Sequence, residues 1–217
     1  SSLVACHQAC LAMQMQTTGS NDSSWSSNST RLGITGGAET FLLPSSGTLF
    51  EMAAMLSPTG RCKTLSTDAD GYVRSEAVVV HVLAQVGPTG VVPHVPTGGA
   101  MVVVGSGVNQ DGRSAGLTAP NGPAQTTNLR TVLQNSGRST RELAHVYLHG
   151  TGTALGDPIE VGALERVVSV SGEGSNPQRP VSLHATKSSF GHAEPASGAV
   201  SLAHLVACYL SGGSIAP

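Results

Sequence analysis

Charge is scarce in this sequence. Asp, Glu, Lys and Arg make up only 11% of 217 residues, and the net charge is −2. Such a chain has no basic stripe for nucleic acid or an anionic membrane, so neither is expected as a partner. Aromatics are equally thin at 3%. Apolar stretches such as 77–82 and 100–104 fall far short of the ~20 residues a membrane helix needs. No basic start followed by an apolar stretch opens the chain, as a secretory signal would. Cysteine is confined to Cys6, Cys10, Cys62 and Cys208, without Cys-x-x-Cys spacing. A disulfide scaffold is thereby excluded, and a reducing, cytoplasmic compartment is expected. Cys6, His7 and Cys10 are weighed as metal ligands, but no second ligand cluster joins them, and no metal site is assigned. Gly150-Thr151-Gly152-Thr153 lacks the Lys-Ser/Thr ending of a phosphate loop, and Asp68-Ala69-Asp70-Gly71 lacks the distal Glu of a calcium loop.

What is present suits close packing. Hydrophobic residues reach 39%, and Gly and Ser number 27 each. Leu3–Gln16 predicts a mostly buried helix, and Leu32–Ala38 a short strand. Gly47–Leu56 predicts a helix stopped by Ser57-Pro58, and Arg61–Ser75 a loop. Glu76–Val86 and Met101–Val108 read as buried strands, joined by a Pro-containing connector over 87–99. That connector is the expected boundary between two halves, 1–99 and 100–217. Pro123–Asn135 predicts a helix ended near Gly137. Ala144–Leu148 and Val181–Ala185 predict short strands, and Pro195–Leu210 a final helix. Between them Asp157 is placed as the cap of a helix that starts at Pro158. Strands alternating with helices predict an α/β layered fold.

Two segments repeat one pattern, a short apolar strand ending in a Gly-containing turn with a His beside it. One is Val146-Tyr147-Leu148-His149-Gly150-Thr151-Gly152-Thr153; the other is Thr186-Lys187-Ser188-Ser189-Phe190-Gly191-His192. Strand ends in α/β folds face the crevice where ligands bind. Two imidazoles meeting there could serve as base, acid or oxyanion donors, or each could be a structural residue. The other histidines, His7, His81, His94, His145, His184 and His204, carry no partner pattern.

The run His149-Gly150-Thr151-Gly152-Thr153-Ala154-Leu155-Gly156-Asp157-Pro158-Ile159-Glu160 resembles a signature of β-ketoacyl synthase (ketosynthase) domains of type I polyketide synthases. Lys187-Ser188-x-x-Gly191-His192 resembles the family's second signature. Met55–Thr64, Ala69–Arg74, Val108–Ser114 and Leu117–Gly122 agree in the family's order, so the resemblance covers nearly the whole chain. It departs at Arg74-Ser75-Glu76-Ala77, where the family has Arg-Gly-Glu-Gly, at Phe190 and at Pro195.

The resemblance implies a thiolase-like layered αβαβα fold, incomplete at both ends, and a homodimer in the full domain. It implies decarboxylative Claisen condensation of an acyl thioester with a malonyl-type extender carried on acyl carrier protein. No cofactor is bound directly; phosphopantetheine arrives on the carrier protein. By the family's register the nucleophilic Cys stands two residues before Ser1, so the chain is expected to be a piece of a longer polypeptide, inactive by itself. Set at the N-terminus of the Leu3–Gln16 helix, that thiol would ionise readily. The resemblance makes His149, His192 and Lys187 catalytic, with Lys187 supporting the His192 side. Glu160 and Asp157 are supporting residues, and Thr151 and Thr153 contact the phosphopantetheine arm. Two alternatives stay open: a Cys-less homologue acting as a decarboxylase or non-catalytic partner subunit, or the ketosynthase of a fatty acid synthase.

Overall fold

A computed structural model describes residues 1–18, 32–86, 101–114, 116, 119–169 and 180–212. The expected connector over 87–99 lies outside the described residues.

Helix α1 runs Ser2–Thr18, strand β1 Leu32–Glu39, helix α2 Pro44–Met52 and strand β2 Ala77–Ala84. Helix α3 spans Gly122–Ser136, strand β3 His145–Tyr147 and helix α4 Gly156–Val168. Strand β4 covers Ser182–His184, the short helix α5 Lys187–Phe190 and helix α6 Ser197–Leu210. β1 and β2 pair antiparallel, with Leu32 opposite Ala84 and Glu39 opposite Ala77. α1 packs on β1 and α6 on β2, so one face of this ribbon is covered by helices. β3 and β4 pair in parallel, His145 beside Ser182 and Tyr147 beside His184. A parallel pair needs a long crossover, and α4 lies within it.

Local chemistry accounts for the element ends that matter. The Asn121 side chain accepts the Ala124 N–H at 3.0 Å, Pro123 fills the first turn, and Gly137 closes α3 in the left-handed region at φ 66°.

Five expectations need correction. Residues 101–108 form no strand, and Met101, Val102, Val103 and Val104 are exposed. Extended β-branched sequence is not a strand until a neighbour supplies its ladder bonds. The strand over 76–86 is only half-buried, and on one face, because Val78, Val80 and Val82 point outward at 62–70% exposure. Ile34 and Leu32 extend that outward apolar stripe on β1. α1 is not mostly buried: Ser2 and Cys6 face the protein while Leu3, Val4 and Leu11 are exposed. α2 begins at Pro44, since Pro is well suited to a first turn, and ends at Met52, where Ala54 turns left-handed at φ 52°. Finally, five of the histidines without sequence partners have structural ones, and His94 lies outside the described residues. His7 pairs with Ser106 at 2.8 Å, His81 with the Ala199 carbonyl at 3.1 Å, His145 with His184 at 3.0 Å, and His204 with Tyr147 at 3.2 Å.

Candidate functional site

The turn after β3 is built to approach other backbone closely. Gly152 stands at φ 76°, and a Cβ there would meet Lys63 N at 2.6 Å. Only Gly fits such a position. The loop over 61–72 lies against this turn: Gly71 N–H donates to Gly152 O at 3.0 Å, and the Thr64 hydroxyl donates to Gly150 O at 2.7 Å.

Two carboxylates from the first turn of α4 fasten the same turn. Glu160 accepts the N–H of His149 at 2.5 Å and of Gly150 at 2.9 Å. Asp157 accepts Gly152 N–H at 3.1 Å and Leu65 N–H at 2.9 Å. The expected cap is therefore corrected: α4 starts at Gly156, and the 3%-exposed Asp157 carboxylate serves neighbouring loops instead of its own helix end. Burial pushes the Glu160 carboxyl above the usual range, opposed by its backbone N–H bonds and by Lys187.

Lys187 opens α5 and is 3% exposed. Its ammonium donates to the His149 carbonyl at 2.5 Å. It thus holds the His149 side directly, while Gly191 N–H donates to its carbonyl at 2.9 Å beside His192 and its charge reaches that ring. Burial lowers its pKa, while Glu160, Cys62 and Asp157 favour its charge.

The two sequence-predicted imidazoles meet. Their ring centroids are 5.4 Å apart at 84°, edge to face. His149 is exposed, but into a cleft of about 650 Å³ that His192 also lines. Both are held neutral. Burial, then the charge of Lys187, lowers the His149 pKa to about 4; burial, Lys187 and His149 lower that of His192 to about 3. His192 Nδ1 accepts the Glu194 N–H at 3.0 Å, so the ring's own hydrogen belongs on Nε2. Two neutral rings beside a cleft can present N–H groups to an oxygen on which negative charge develops.

Thr151 and Thr153 line the cleft with their hydroxyls 3.3 Å apart, and Thr153 also accepts Gly156 N–H at 3.1 Å. Asn109, Asp111, Gln125 and Asn128 supply further polar lining. All seven predicted residues, His149, His192, Lys187, Glu160, Asp157, Thr151 and Thr153, gather at this turn and cleft. Sequence reasoning gave no role to Tyr72, whose ring meets His192 edge-on at 4.9 Å, nor to Glu194. None of the four Cys lines the cleft. No group of His, Cys, Asp or Glu among the described residues could hold a metal ion. Nor is any described helix long and apolar enough to cross a membrane.

The family model for "Beta-ketoacyl synthase, N-terminal domain" matches residues 1–87, and that for "Beta-ketoacyl synthase, C-terminal domain" matches residues 100–217. One phenolphthiocerol/phthiocerol polyketide synthase polypeptide of Mycobacterium tuberculosis is 37% identical over 98% of this chain, which spans 9% of that protein. The spectinabilin polyketide synthase system protein NorA' of Streptomyces orinoci is 43% identical over 77% of the chain, or 4% of its own length. Among solved structures, the ketosynthase from module 6 of the bacillaene synthase of Bacillus subtilis 168 superposes with a TM-score of 0.80 and 29% identity. That match covers 96% of this chain and 34% of the other. An oxazolomycin ketosynthase domain from Streptomyces albus JA3453 gives 0.79 and 27%, covering 96% of this chain and 33% of that one. The fold is the thiolase-like αβ arrangement of these ketosynthase domains.

Proposed function

The chain belongs to the β-ketoacyl synthase family, and from that premise we propose that it supplies the two-histidine half of a condensing site in a polyketide synthase. The observation that carries the proposal is the edge-to-face pair of neutral imidazoles on one cleft, His192 with its hydrogen on Nε2.

In this reading a malonyl-type thioester on acyl carrier protein enters the cleft, its phosphopantetheine arm lying along the Thr151 and Thr153 hydroxyls. Loss of CO2 leaves the electron pair of the broken C–C bond on the α-carbon and thioester oxygen as an enolate. His149 and His192 donate N–H bonds to that oxygen. Keeping both rings neutral leaves each with a hydrogen to donate and avoids a competing proton transfer. The enolate carbon then attacks an acyl thioester, forming the C–C bond and expelling the Cys thiolate that carried it. Lys187 holds the His149 carbonyl, and Glu160 and Asp157 hold the turn, so these three set the geometry.

The nucleophile is the Cys that the family register puts ahead of Ser1. Condensation is accordingly assigned to the polypeptide that carries this chain. The two family matches support a division into the later part of the N-terminal half, 1–99, and the start of the C-terminal half, 100–217. The full domain is proposed to be a cytoplasmic homodimer whose partner is acyl carrier protein.

The test is malonyl-thioester decarboxylation by that polypeptide. His149→Ala and His192→Ala should each lower the rate by roughly 10²–10³, the worth of one oxyanion donor. Rates equal to the unaltered protein in both variants would end the proposal.

A further inference from the structure

Arg74 lies outside the cleft, yet its contacts lead to His192. Its guanidinium forks onto Glu194, Nε to Oε1 at 2.5 Å and Nη2 to Oε2 at 3.3 Å. Nη2 also reaches Glu39 at 3.2 Å, and Nη1 reaches the Ser46 hydroxyl at 3.1 Å. The rings of Phe41 and Phe50 stand 4.4 and 4.8 Å from the guanidinium carbon. A planar cation between two carboxylates and two aromatic rings, its side chain 10% exposed, has little freedom.

The backbone completes the link. His192 N–H donates to Val73 O at 2.7 Å, and Ser75 N–H donates to His192 O at 3.1 Å, so the strand-like bridge at Arg74 runs along His192 itself. Glu194, two residues on, has φ 41°, a left-handed conformation unusual for a residue with a Cβ. In that conformation its N–H sits 3.0 Å from His192 Nδ1. Such a backbone persists only where its surroundings hold it, and the Arg74 fork is what grips the Glu194 carboxylate.

We propose that Arg74 is a positioning residue: by gripping Glu194 it keeps the Glu194 N–H on His192 Nδ1 and so keeps the ring's hydrogen on Nε2. The inference rests on His192 as an oxyanion donor, since with Nδ1 occupied only Nε2–H is free to donate into the cleft. An ion pair that merely stabilised the fold would cost stability when broken and leave the tautomer alone.

Long-range 1H–15N spectra of protein labelled with 15N-histidine report which ring nitrogen carries the hydrogen; loss of a signal in His192→Ala assigns it. The unaltered protein should show Nε2–H at His192. Glu194→Gln keeps the shape of the side chain and drops its charge; Arg74→Met removes the fork. Both should raise the Nδ1–H share about three- to tenfold, the factor one hydrogen bond is worth. Arg74→Lys should restore part of the original ratio. Glu39→Gln breaks the other ion pair of Arg74 and should leave the ratio unchanged. An Nδ1–H ring in the unaltered protein, or the same ratio in Glu194→Gln as in the unaltered protein, overturns the proposal; the isosteric Glu194→Gln decides it even if Arg74→Met does not fold. Decarboxylation separates the two ideas. An unchanged rate in His192→Ala sinks the donor reading, whereas a lost rate there with an unmoved tautomer in Glu194→Gln sinks the positioning role.

Discussion

Glu160→Gln is the perturbation whose outcome follows most directly from geometry. The Glu160 carboxylate accepts two consecutive backbone N–H groups, from His149 and Gly150, one on each oxygen. A Gln side chain has the same shape but only one acceptor oxygen. Its NH2 must then face one of those N–H donors, leaving a half-buried donor without a partner. Hydrogen bonds to a charged acceptor are worth about 1.5–3 kcal/mol each, and an unsatisfied buried donor costs about 1–3 kcal/mol. Because the second bond survives in weakened form, the net loss should be about 2 kcal/mol. For a domain of this size that corresponds to about 4–8 °C in Tm. Lys187 also loses a compensating charge, so its ammonium should titrate at lower pH in the variant. The turn carrying His149 should shift with its freed N–H, and malonyl-thioester decarboxylation should fall by about tenfold or more, since small misplacements cost that much. Calorimetry of the purified variant and the unaltered protein supplies the comparison. A Tm within about 1 °C of the unaltered protein would refute the claim that this carboxylate holds the turn.

Three further expectations stand on the same geometry. Decarboxylation should persist as pH falls from 7 to about 5, because His149 and His192 take up protons only near 4 and 3; a loss with a midpoint near 6.5 would show at least one ring titrating freely. Fold stability should decline as pH drops from about 6.5 toward 4: the unfolded chain binds those protons first, the folded rings hold out, and stability is retained above the unfolded pKa. Gly152→Ala should cost about 2 kcal/mol or more in urea unfolding, as its Cβ would sit 2.6 Å from Lys63 N at φ 76°.

Much of the site was legible in the sequence because its signals are local. His149 and His192 each sit in a Gly-containing turn, and the spacing from Asp157 to Glu160 puts both carboxylates in one helical turn beside β3. Helix α3 was legible for the same reason: Pro123 at its start and Gly137 after its end are chemical punctuation. What sequence could not reveal depends on partners far along the chain. Asp157 looked like a cap because a cap is a local habit, yet its oxygens go to Leu65 and Gly152. Lys187 is next to the His192 motif in sequence but reaches back 38 residues to the His149 carbonyl. Arg74 and Glu194 are 120 residues apart, and no periodicity announces such a pair. The apolar run over 101–108 failed as a strand for a related reason. β-propensity describes a side chain suited to a sheet, and only a neighbouring strand makes it one.

The charges around the imidazoles show how the arrangement meets two opposed demands. An enolate needs donors and positive potential nearby, while a protonated imidazole beside it would hand over its proton and end the reaction. A lone buried Lys would satisfy the first demand at a heavy desolvation cost. Here Lys187 has a backbone carbonyl as its direct partner and Glu160 and Asp157 as neighbouring charges, so the ammonium survives at 3% exposure. Its charge then acts on both rings in the same sense, opposing their protonation. The cation that fastens the His149 carbonyl is thus also one that keeps both rings neutral. His192 has a second safeguard. A proton on Nδ1 would point at the Glu194 N–H, donor against donor, so the imidazolium is disfavoured by geometry as well as by charge. His149 has no such backbone donor against its ring; its protection comes from burial and Lys187. Lys187→Met should therefore raise the His149 pKa toward its ordinary value and bring an acid limb into the pH profile of decarboxylation, while the Nδ1 bond keeps His192 neutral. Imidazole pKa values that do not move in Lys187→Met, followed by NMR titration of both rings, would place the control in burial alone.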